Sequence, residues 1–434
     1  MATSAPVTPT IGNFNSKDYD RFLECVHCGL CLPACPTYLE TGREADSPRG
    51  RVYIMKNVAD GRLGGDSKMV ANHLDLCLGC MACETACPSG VHYGHLIEKA
   101  RSVIEENYPR PMQDKFLRRM MSALLPYPSR LELALLPIRL LRALKLDALL
   151  ESEFIRKLMP KKIRPMLSLV PELPPLGARN SLSEVIPAQG ERKYRVAMLK
   201  GCVMSVMFSR QNEATARVLA RNGCEVIVPS GQGCCGSLHM HMGYRQAGTD
   251  LVKNNLDVFE PDEFDAIISN AAGCGAMMKE YGEVFADDPA YAKRAHAFAA
   301  KTQDLSEFLA SIELNTEFGE VRAKATYHDA CHLVHAQKVS AQPRALLEKI
   351  PGLELVPLTE SELCCGSAGP YNLVEPEMAD RLQARKVNHI IETGADMVVM
   401  GNPGCMIQID NGLKKQGVDM EVLHTVEVLD RAYQ

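Results

Sequence analysis

The chain has 434 residues with 53 acidic and 48 basic side chains, and its formal net charge of −5 gives no reason to expect a nucleic-acid partner. This length predicts two to four domains. Residues 1–20 are polar and no apolar run reaches 18 residues, so we expect neither a signal peptide nor a membrane-spanning helix. The 17 cysteines are odd in number and are grouped in metal-type runs, which favours reduced thiolates in the cytoplasm over disulfides.

Eight of the cysteines form two runs with the spacing Cys-x2-Cys-x2-Cys-x3-Cys-Pro, and these runs begin at Cys25 and Cys77. In bacterial ferredoxins with this spacing, three closely spaced thiolates bind one [4Fe–4S] cluster and the fourth cysteine binds the other cluster. The same rule assigns the ligands of the first cluster as Cys25, Cys28, Cys31 and Cys87. It assigns the ligands of the second cluster as Cys77, Cys80, Cys83 and Cys35.

The alternative for these two runs is a pair of zinc sites. Zinc sites usually combine two Cys-x2-Cys pairs and do not need a third or fourth cysteine in the same run. We therefore predict two [4Fe–4S] clusters in a mostly helical ferredoxin domain over residues 15–110, because the 41 residues between the runs are too many for a minimal ferredoxin.

A basic stretch follows, with 13 Lys or Arg against five acidic residues over 110–164, which is a local charge of +8. Apolar residues are interleaved with these bases at roughly helical spacing, and we predict a helical connector over 111–190. Three interpretations remain open for it. The connector packs on its own protein, docks a partner subunit, or contacts anionic lipid as basic amphipathic helices do.

Eight further cysteines belong to a unit that occurs twice. The first copy contains Cys202, Cys234, Cys235 and Cys274. The second copy contains Cys331, Cys364, Cys365 and Cys405. Equivalent cysteines are 129 to 131 residues apart, as expected of an internal duplication. Cys224 stands outside the pattern, and we predict that it is a small buried residue.

Short runs rich in β-branched or apolar residues precede the cysteines of both units, and we predict strands at 196–199, 226–228, 267–268, 326–327, 353–356 and 397–400. Helical patterns lie between them at 213–220, 344–350 and 378–391. This alternation predicts two α/β units with parallel sheets, over 191–318 and 319–434. The cysteines then lie at the carboxyl ends of the strands, which is where open α/β sheets bind ligands. The predicted class is thus α+β and multidomain.

The duplicated Cys-Cys-Gly turns, following two ferredoxin runs, resemble the cysteine-rich domains of the iron–sulfur subunits of heterodisulfide reductase, anaerobic glycerol-3-phosphate dehydrogenase and glycolate oxidase. The similarity to the glycolate oxidase subunits covers about residues 18–430 and rests on the segments 25–38, 46–51, 87–91 and 327–333 with Gln337 and Lys338. In heterodisulfide-reductase-type units a fifth cysteine occupies the positions that are here Ala271 and Asn402. The absence of that thiol argues against disulfide reduction. A further iron–sulfur cluster, a zinc ion and a metal-free role all remain open for the repeats.

The resemblance implies an electron-transfer subunit of a glycolate dehydrogenase complex. An FAD-containing partner would oxidise glycolate to glyoxylate, and this chain would pass the electrons singly to a membrane quinone or another respiratory acceptor. It implies a cytoplasmic chain, with peripheral contact with the inner face of the membrane as a further option. The alternatives are a heterodisulfide-reductase-like catalytic subunit, a subunit of a D-lactate or glycerol-3-phosphate dehydrogenase, and a zinc-stabilised scaffold. We expect no catalytic residue and no nucleotide site in this chain, since its single G-x-G-x-x-G run, at 231–236, contains the cysteine pair.

Three histidines lie close to these cysteines in sequence. We predict that His92 and His95, which follow the second run, hydrogen-bond near cluster sulfurs. His328, three residues before Cys331, is predicted to support its loop by hydrogen bonding rather than to handle protons.

Overall fold

The computed structural model describes residues 14–144 and 169–434. Its amino-terminal part is helical, with α1 to α6 at Ser16–Leu23, Pro36–Thr41, Pro48–Ala59, Lys68–Asp75, Ala82–Thr85 and Tyr93–Asn107. Local sequence explains where two of these helices begin. Asn15 and Asp18 form a capping box at the start of α1, and the Ser47 side chain accepts from the Gly50 amide at the start of α3.

An apolar core holds these helices together and positions the cysteine loops. Phe22, Met55, Leu74, Leu96 and Ile97 each expose 1% or less of their surface. Burial of side chains of this size contributes about 1.5–3 kcal/mol each. The loops between α1 and α2 and around α5, which carry the two cysteine runs, lie against this core.

The predicted connector begins with two helices, α7 (Met112–Leu124) and α8 (Pro128–Ala143). Several of its positive charges are used inside the protein. Arg110 and Arg118 pair with Asp75 and Glu105, and all four side chains are at most 10% exposed. Over the residues that the structure describes, these ion pairs favour packing on the chain itself. The basic residues at 145–164 lie outside the described residues.

The described end of the connector, from residue 169, is mostly irregular and ends in the short strand β1 (Val185–Ile186). This strand pairs antiparallel with β3 at the edge of the first sheet.

The remaining chain forms two α/β units. The strands β2 to β5 of the first unit are Tyr194–Leu199, Cys224–Ile227, Ala266–Ser269 and Thr302–Asp304. The strands β6 to β9 of the second unit are Ala323–Tyr327, Leu353–Val356, Met397–Met400 and Glu421–His424. The helices α9 to α16 are Val203–Met207, Ser209–Arg221, Ser237–Met242, Arg245–Val258, Ala272–Lys279, Tyr281–Val284, Ala292–Lys301 and Leu305–Ser311. The helices α17 to α21 are Ala341–Leu347, Tyr371–Val374, Pro376–Glu392, Pro403–Lys415 and Thr425–Ala432.

The two sheets have the same topology. Their strand orders are β1-β3-β2-β4-β5 and β7-β6-β8-β9, and all pairings except that of β1 are parallel. In each unit the chain leaves the central strand, β2 or β6, in one direction first and then in the other. The carboxyl end of that strand is therefore a topological switch point, where ligands bind in α/β folds. The predicted fold class is confirmed, although strands β1, β5 and β9 were not predicted and α17 ends at Leu347, before the predicted residue 350.

The two units share one apolar core. Val196 and Met198 of the first sheet and Ala325 and Val399 of the second belong to the same cluster, and each is fully buried. Helix α10 of the first unit packs against α21 of the second, and α16 packs against α17. The duplicated units therefore pack around one continuous apolar core. Among the described helices, none is both long and apolar enough to cross a membrane.

Candidate iron–sulfur and thiol sites

The first set of ferredoxin cysteines, Cys25, Cys28, Cys31 and Cys87, lies at the surface. Cys28 is exposed, and the other three are partly buried. Burial and, to a lesser degree, the nearby charges of Cys87 and Cys28 raise the pKa of Cys25. The loop turns tightly at Gly29, which has a φ of +88°. Arg49 holds the loop in place by donating a 2.8 Å hydrogen bond to the His27 carbonyl.

The second set, Cys35, Cys77, Cys80 and Cys83, is buried and lines one small cavity. The fourth cysteine of the first run, Cys35, is thus beside the second run, as the crossing rule predicts. Burial raises the pKa of Cys80 and Cys83 well above the usual value of a thiol. The assignment of all eight cysteines as cluster ligands agrees with these positions and stays a prediction.

Positive charge compensates the second set from within the protein. Burial alone would raise the pKa of Cys77, but the guanidinium groups of Arg51 and Arg101 lower it. Arg51 is 1% exposed, lies 4.0 Å from Cys35 Sγ, and keeps one nitrogen, Nη2, without a hydrogen-bond partner among the described residues. A buried cation with an unused hydrogen-bond donor destabilises the fold unless an anion lies beside it. The four thiolates of a bound [4Fe–4S] cluster are such an anion, so the residues present fit this group.

Tyr93 contributes a hydrogen bond to the same site. Its hydroxyl donates to Cys77 Sγ at 3.4 Å, and the Gly79 amide donates to the same sulfur at 3.3 Å. Burial raises the pKa of Tyr93 well above its usual value, which keeps the hydroxyl protonated and able to donate. Hydrogen bonds of this kind tune cluster potentials.

In the first repeat, four thiols converge at the carboxyl ends of β2, β3 and β4. Cys202 Sγ lies 3.5 Å from Cys234 Sγ. The thiols of Cys234 and Cys274 donate to Cys235 and lower its pKa well below the usual value of a thiol. The Asn255 side chain fixes the backbone of the cysteine pair by donating a 3.0 Å hydrogen bond to the Cys234 carbonyl.

In the second repeat, the equivalent thiols converge after β6, β7 and β8. Cys331 Sγ lies 4.0 Å from Cys364 Sγ, and hydrogen bonds from Cys364 and Cys405 lower the pKa of Cys365. Asn402 donates to Cys405 Sγ at 3.4 Å. One ring nitrogen of His328 and the sulfurs of Cys365 and Cys405 all lie within 4.8 Å of one another.

The glycine after each cysteine pair has a structural reason. Gly236 and Gly366 both have a φ of +87°, which side chains other than glycine rarely adopt. A Cβ atom would lie 2.9 Å from the Gly248 carbonyl oxygen in the first case and 2.6 Å from that of Ala379 in the second. The Cys-Cys-Gly turn can therefore bury both sulfurs only with glycine in this position.

The second ferredoxin set lies against the second repeat. The Cys331 thiolate contributes to the raised pKa of Cys80, after burial, and both residues belong to one apolar cluster with Cys364. Tyr371 of the second repeat donates to the Leu76 carbonyl at 2.9 Å, next to the second run. The repeats also meet each other at their cysteine loops, where the amide of Ala272 donates to the Gly401 carbonyl at 3.1 Å.

A partly buried group of acids and histidines lies where the ferredoxin part meets both repeats. His241 of the first repeat contacts Glu98 of α6 at 2.9 Å, and its ring lies 5.2 Å from the ring of His332. Burial and the charge of Glu98 raise the pKa of Glu280 to about 8. Sequence patterns gave no signal for this group, because its members come from three separate parts of the chain.

The structure corrects the predictions for His92 and His95. His95 contacts the Asp18 carboxylate at 2.9 Å, and His92 is exposed, so the residue that reaches a sulfur is the tyrosine between them. Neither ring nitrogen of His328 has a partner of ordinary hydrogen-bond geometry in the described part of the chain, although the ring lowers the pKa of the neighbouring Cys365, so its loop-supporting role stays a prediction. Cys224 is buried in β3 as predicted, with no exposed surface.

Comparison with known proteins agrees with this architecture. A family model for a 4Fe-4S dicluster domain matches residues 21–91, and one for a cysteine-rich domain matches residues 196–279 and 325–410. The dicluster match confirms the predicted [4Fe–4S] clusters. A hypothetical protein from Helicobacter pylori shares the fold, with a TM-score of 0.53 and 11% identity over 97% of this chain and 73% of its own.

Two curated relatives match over nearly the full length. The probable glycolate oxidase iron-sulfur subunit of Bacillus subtilis (strain 168) is 38% identical over 99% of this chain and 98% of its own. The glycolate oxidase iron-sulfur subunit of Escherichia coli (strain K12) is 33% identical over 97% of each chain. Lactate utilization protein A of Shouchella clausii is 34% identical but aligns with 54% of this chain. With its ferredoxin part, its two cysteine-rich repeats and these full-length relatives, the chain belongs to the family of glycolate oxidase iron–sulfur subunits.

Proposed function

We propose that this chain is the electron-transfer subunit of a glycolate dehydrogenase complex and carries electrons from an FAD-containing partner to a membrane quinone or another respiratory acceptor. The observation that carries the proposal is the arrangement of the eight ferredoxin cysteines as two neighbouring sets, one near the surface with Cys28 exposed and one buried against the second repeat. When bound there, [4Fe–4S] clusters supply one-electron transfer with little rearrangement. The names of the full-length relatives support glycolate as the substrate of the complex.

The first cysteine set offers the face at which a partner subunit would exchange electrons. Cys28 is exposed, and the apolar side chains of Val26 and Leu30 beside it are 68% and 57% exposed. Exposed apolar residues in contiguous groups are typical of interaction sites. We therefore place the FAD-containing subunit on this face.

The order of the cysteine sets supports a direction through the chain. Cys31 of the first set is near Cys35 of the second, and Cys80 of the second set is near Cys331 of the second repeat. The surrounding residues bury the second set and compensate its charge through Arg51 and Arg101. We propose that the thiols of the second repeat are the last site on this path before the acceptor.

We also propose that the chain works in the cytoplasm, on the inner face of the membrane where its acceptor lies. None of the 17 cysteines, all of which are among the described residues, forms a disulfide, which suits a reducing compartment.

The test is anaerobic co-purification of the full chain with its flavoprotein partner, followed by assays of quinone reduction with glycolate, D-lactate and glycerol 3-phosphate. We expect glycolate alone to support reduction, and Cys28→Ser to abolish it because serine is a poor ligand for iron. Cys224→Ser is the matched control, since Cys224 lies outside every cysteine set. Quinone reduction that survives in Cys28→Ser contradicts the relay. Reduction by D-lactate or glycerol 3-phosphate but not by glycolate contradicts glycolate as the substrate of the complex. Stoichiometric flavin in the isolated chain contradicts the proposal that the partner subunit binds the FAD.

The docking face has its own test. Val26→Asp places a charge in the proposed interface and should weaken binding of the flavoprotein by tenfold or more, because a buried unpaired charge costs several kcal/mol. Leu176→Asp is the control, since Leu176 is similarly exposed, at 65%, far along the chain from the first run. Equal effects of the two substitutions in a binding titration argue against this face.

A further inference from the structure

The second repeat contains a buried histidine whose ring nitrogens have no nitrogen or oxygen partner among the described residues. His328 directly follows strand β6, exposes none of its surface, and is fixed by a 2.9 Å hydrogen bond from its backbone amide to the Val399 carbonyl. Both ring nitrogens are buried, and neither has a partner of ordinary hydrogen-bond geometry in the described ranges, but the ring is close enough to Cys365 to lower the pKa of that thiol. A polar ring in such a position destabilises the fold unless something satisfies it.

Two of its polar neighbours have hydrogen-bond partners. Asp329 forms a bidentate pair with Arg344 at 2.6 and 2.7 Å. His335 contacts the Thr85 hydroxyl at 3.1 Å and the Glu362 carbonyl at 3.3 Å. Tyr327 Oη, His332 Nε2 and Gln337 Oε1 of the same segment also lack a partner among the described residues, but His328 alone among these has both ring nitrogens unbonded.

That position is beside the cysteine cluster. One ring nitrogen of His328 and the sulfurs of Cys365 and Cys405 lie within 4.8 Å of one another. Donor atoms that share one tetrahedral metal ion are roughly 3.5–3.8 Å apart, so small side-chain movements would bring the three into the range of coordination. Neutral imidazole and thiolate together form a donor set for iron or zinc.

The first repeat shows that the fold itself does not require a polar group here. Its equivalent residue is Leu199, 129 positions earlier, which is 2% exposed and packs in one apolar cluster with Cys202, Cys234 and Cys235. Leucine fills the same place beside the thiols of the first repeat without any unsatisfied nitrogen. The histidine in the second repeat thus needs a chemical reason.

We propose that His328 is a nitrogen ligand of a metal centre in the second repeat, together with Cys365 and Cys405 and the neighbouring thiols of Cys331 and Cys364. The second repeat then offers four sulfurs and one imidazole, whereas the first offers four sulfurs. This inference rests on the part of the proposed function that gives the second repeat a redox or metal site, and it is independent of the substrate of the complex.

The test uses the full chain, purified without oxygen and labelled with ¹⁵N-histidine. Metal analysis distinguishes iron beyond the eight atoms of two [4Fe–4S] clusters from zinc. If iron is present, electron spin echo spectroscopy should show strong coupling to a histidine nitrogen. If zinc is present, X-ray absorption should show a mixed sulfur and nitrogen shell. We expect His328→Leu, which copies the first repeat, to lose this nitrogen signal and to release metal to a chelator at least about tenfold faster.

His335→Leu is the matched control, because it removes a buried histidine of the same repeat and should retain the signal and the metal. The spectrum of the unmodified chain needs no variant and decides the matter if His328→Leu fails to fold. Absence of any directly bonded histidine nitrogen, its survival in His328→Leu, or eight iron atoms with no zinc each overturns the proposal. Glycolate is not used in these measurements, so failure of the proposed substrate leaves their result unaffected.

Discussion

Replacement of Tyr93 by phenylalanine should lower the reduction potential of the cluster bound by the second cysteine set. The Tyr93 hydroxyl donates to Cys77 Sγ at 3.4 Å inside a site where Cys77 is 6% exposed. A hydrogen bond to a charged acceptor contributes about 1.5–3 kcal/mol, and it stabilises the more negative, reduced state more than the oxidised state. Since the added electron is shared among four thiolates and the inorganic core, we expect a difference of about 0.5–1 kcal/mol, or about 20–45 mV for one electron.

The assay is an anaerobic redox titration followed by electron paramagnetic resonance, on Tyr93→Phe and on Tyr371→Phe. Tyr371 is an apt control because it is also buried near the second set, but its hydroxyl donates to the Leu76 carbonyl and not to a sulfur. We expect a shift to more negative potential in the first variant only. An unchanged or more positive potential in Tyr93→Phe, or an equal shift in both variants, would refute the role of this hydrogen bond.

Two further substitutions test charge compensation and pH dependence. Arg51→Met should prevent binding of the second cluster, because the buried thiolates lose the guanidinium group that compensates their charge. Assays of iron and acid-labile sulfide should then show about four fewer iron atoms per chain. Burial lowers the pKa of His424 to about 4, so the imidazole is neutral in the fold and its contribution to stability is complete above pH 6.5. Urea unfolding should therefore show about 3 kcal/mol lost between pH 6.5 and 4 from this group, and His424→Asn, which keeps an acceptor at the start of α21, should remove that loss.

The sequence allowed the cysteine sets and the strands before them to be predicted because both depend on short-range patterns. Spacing within a run places three sulfurs together, and β-branched runs such as 226–228 form strands wherever a sheet can receive them. The edge strands β1, β5 and β9 could not be predicted, because short-range patterns do not define them. β5 consists of Thr302–Asp304 and has no apolar pattern of its own, and it is a strand through its parallel pairing with the buried strand β4.

Residues that act across the domains could not be predicted from spacing. Arg51 lies 26 positions before Cys77, on helix α3, and Tyr371 reaches the second run from 295 residues away. The prediction that His95 lies near a sulfur is wrong for a geometric reason. On a helix that follows a cysteine run, only the positions on one face point towards the cluster. In α6 that position is held by Tyr93, and His95 points to Asp18 instead.

The two repeats show how one fold can be adapted at a single pocket. Their strand orders and Cys-Cys-Gly turns agree, so the duplication preserved the geometry that brings four thiols to a switch point. The residues around the thiols differ, since Leu199 and Val203 in the first repeat correspond to His328 and His332 in the second. Only the second repeat places a thiol, Cys331, beside Cys80 of the ferredoxin part, as far as the described residues show. Nitrogen donors thus appear in the repeat that adjoins the buried ferredoxin set, and apolar side chains occupy the same places in the other, as expected if the second repeat alone is tuned for electron exchange.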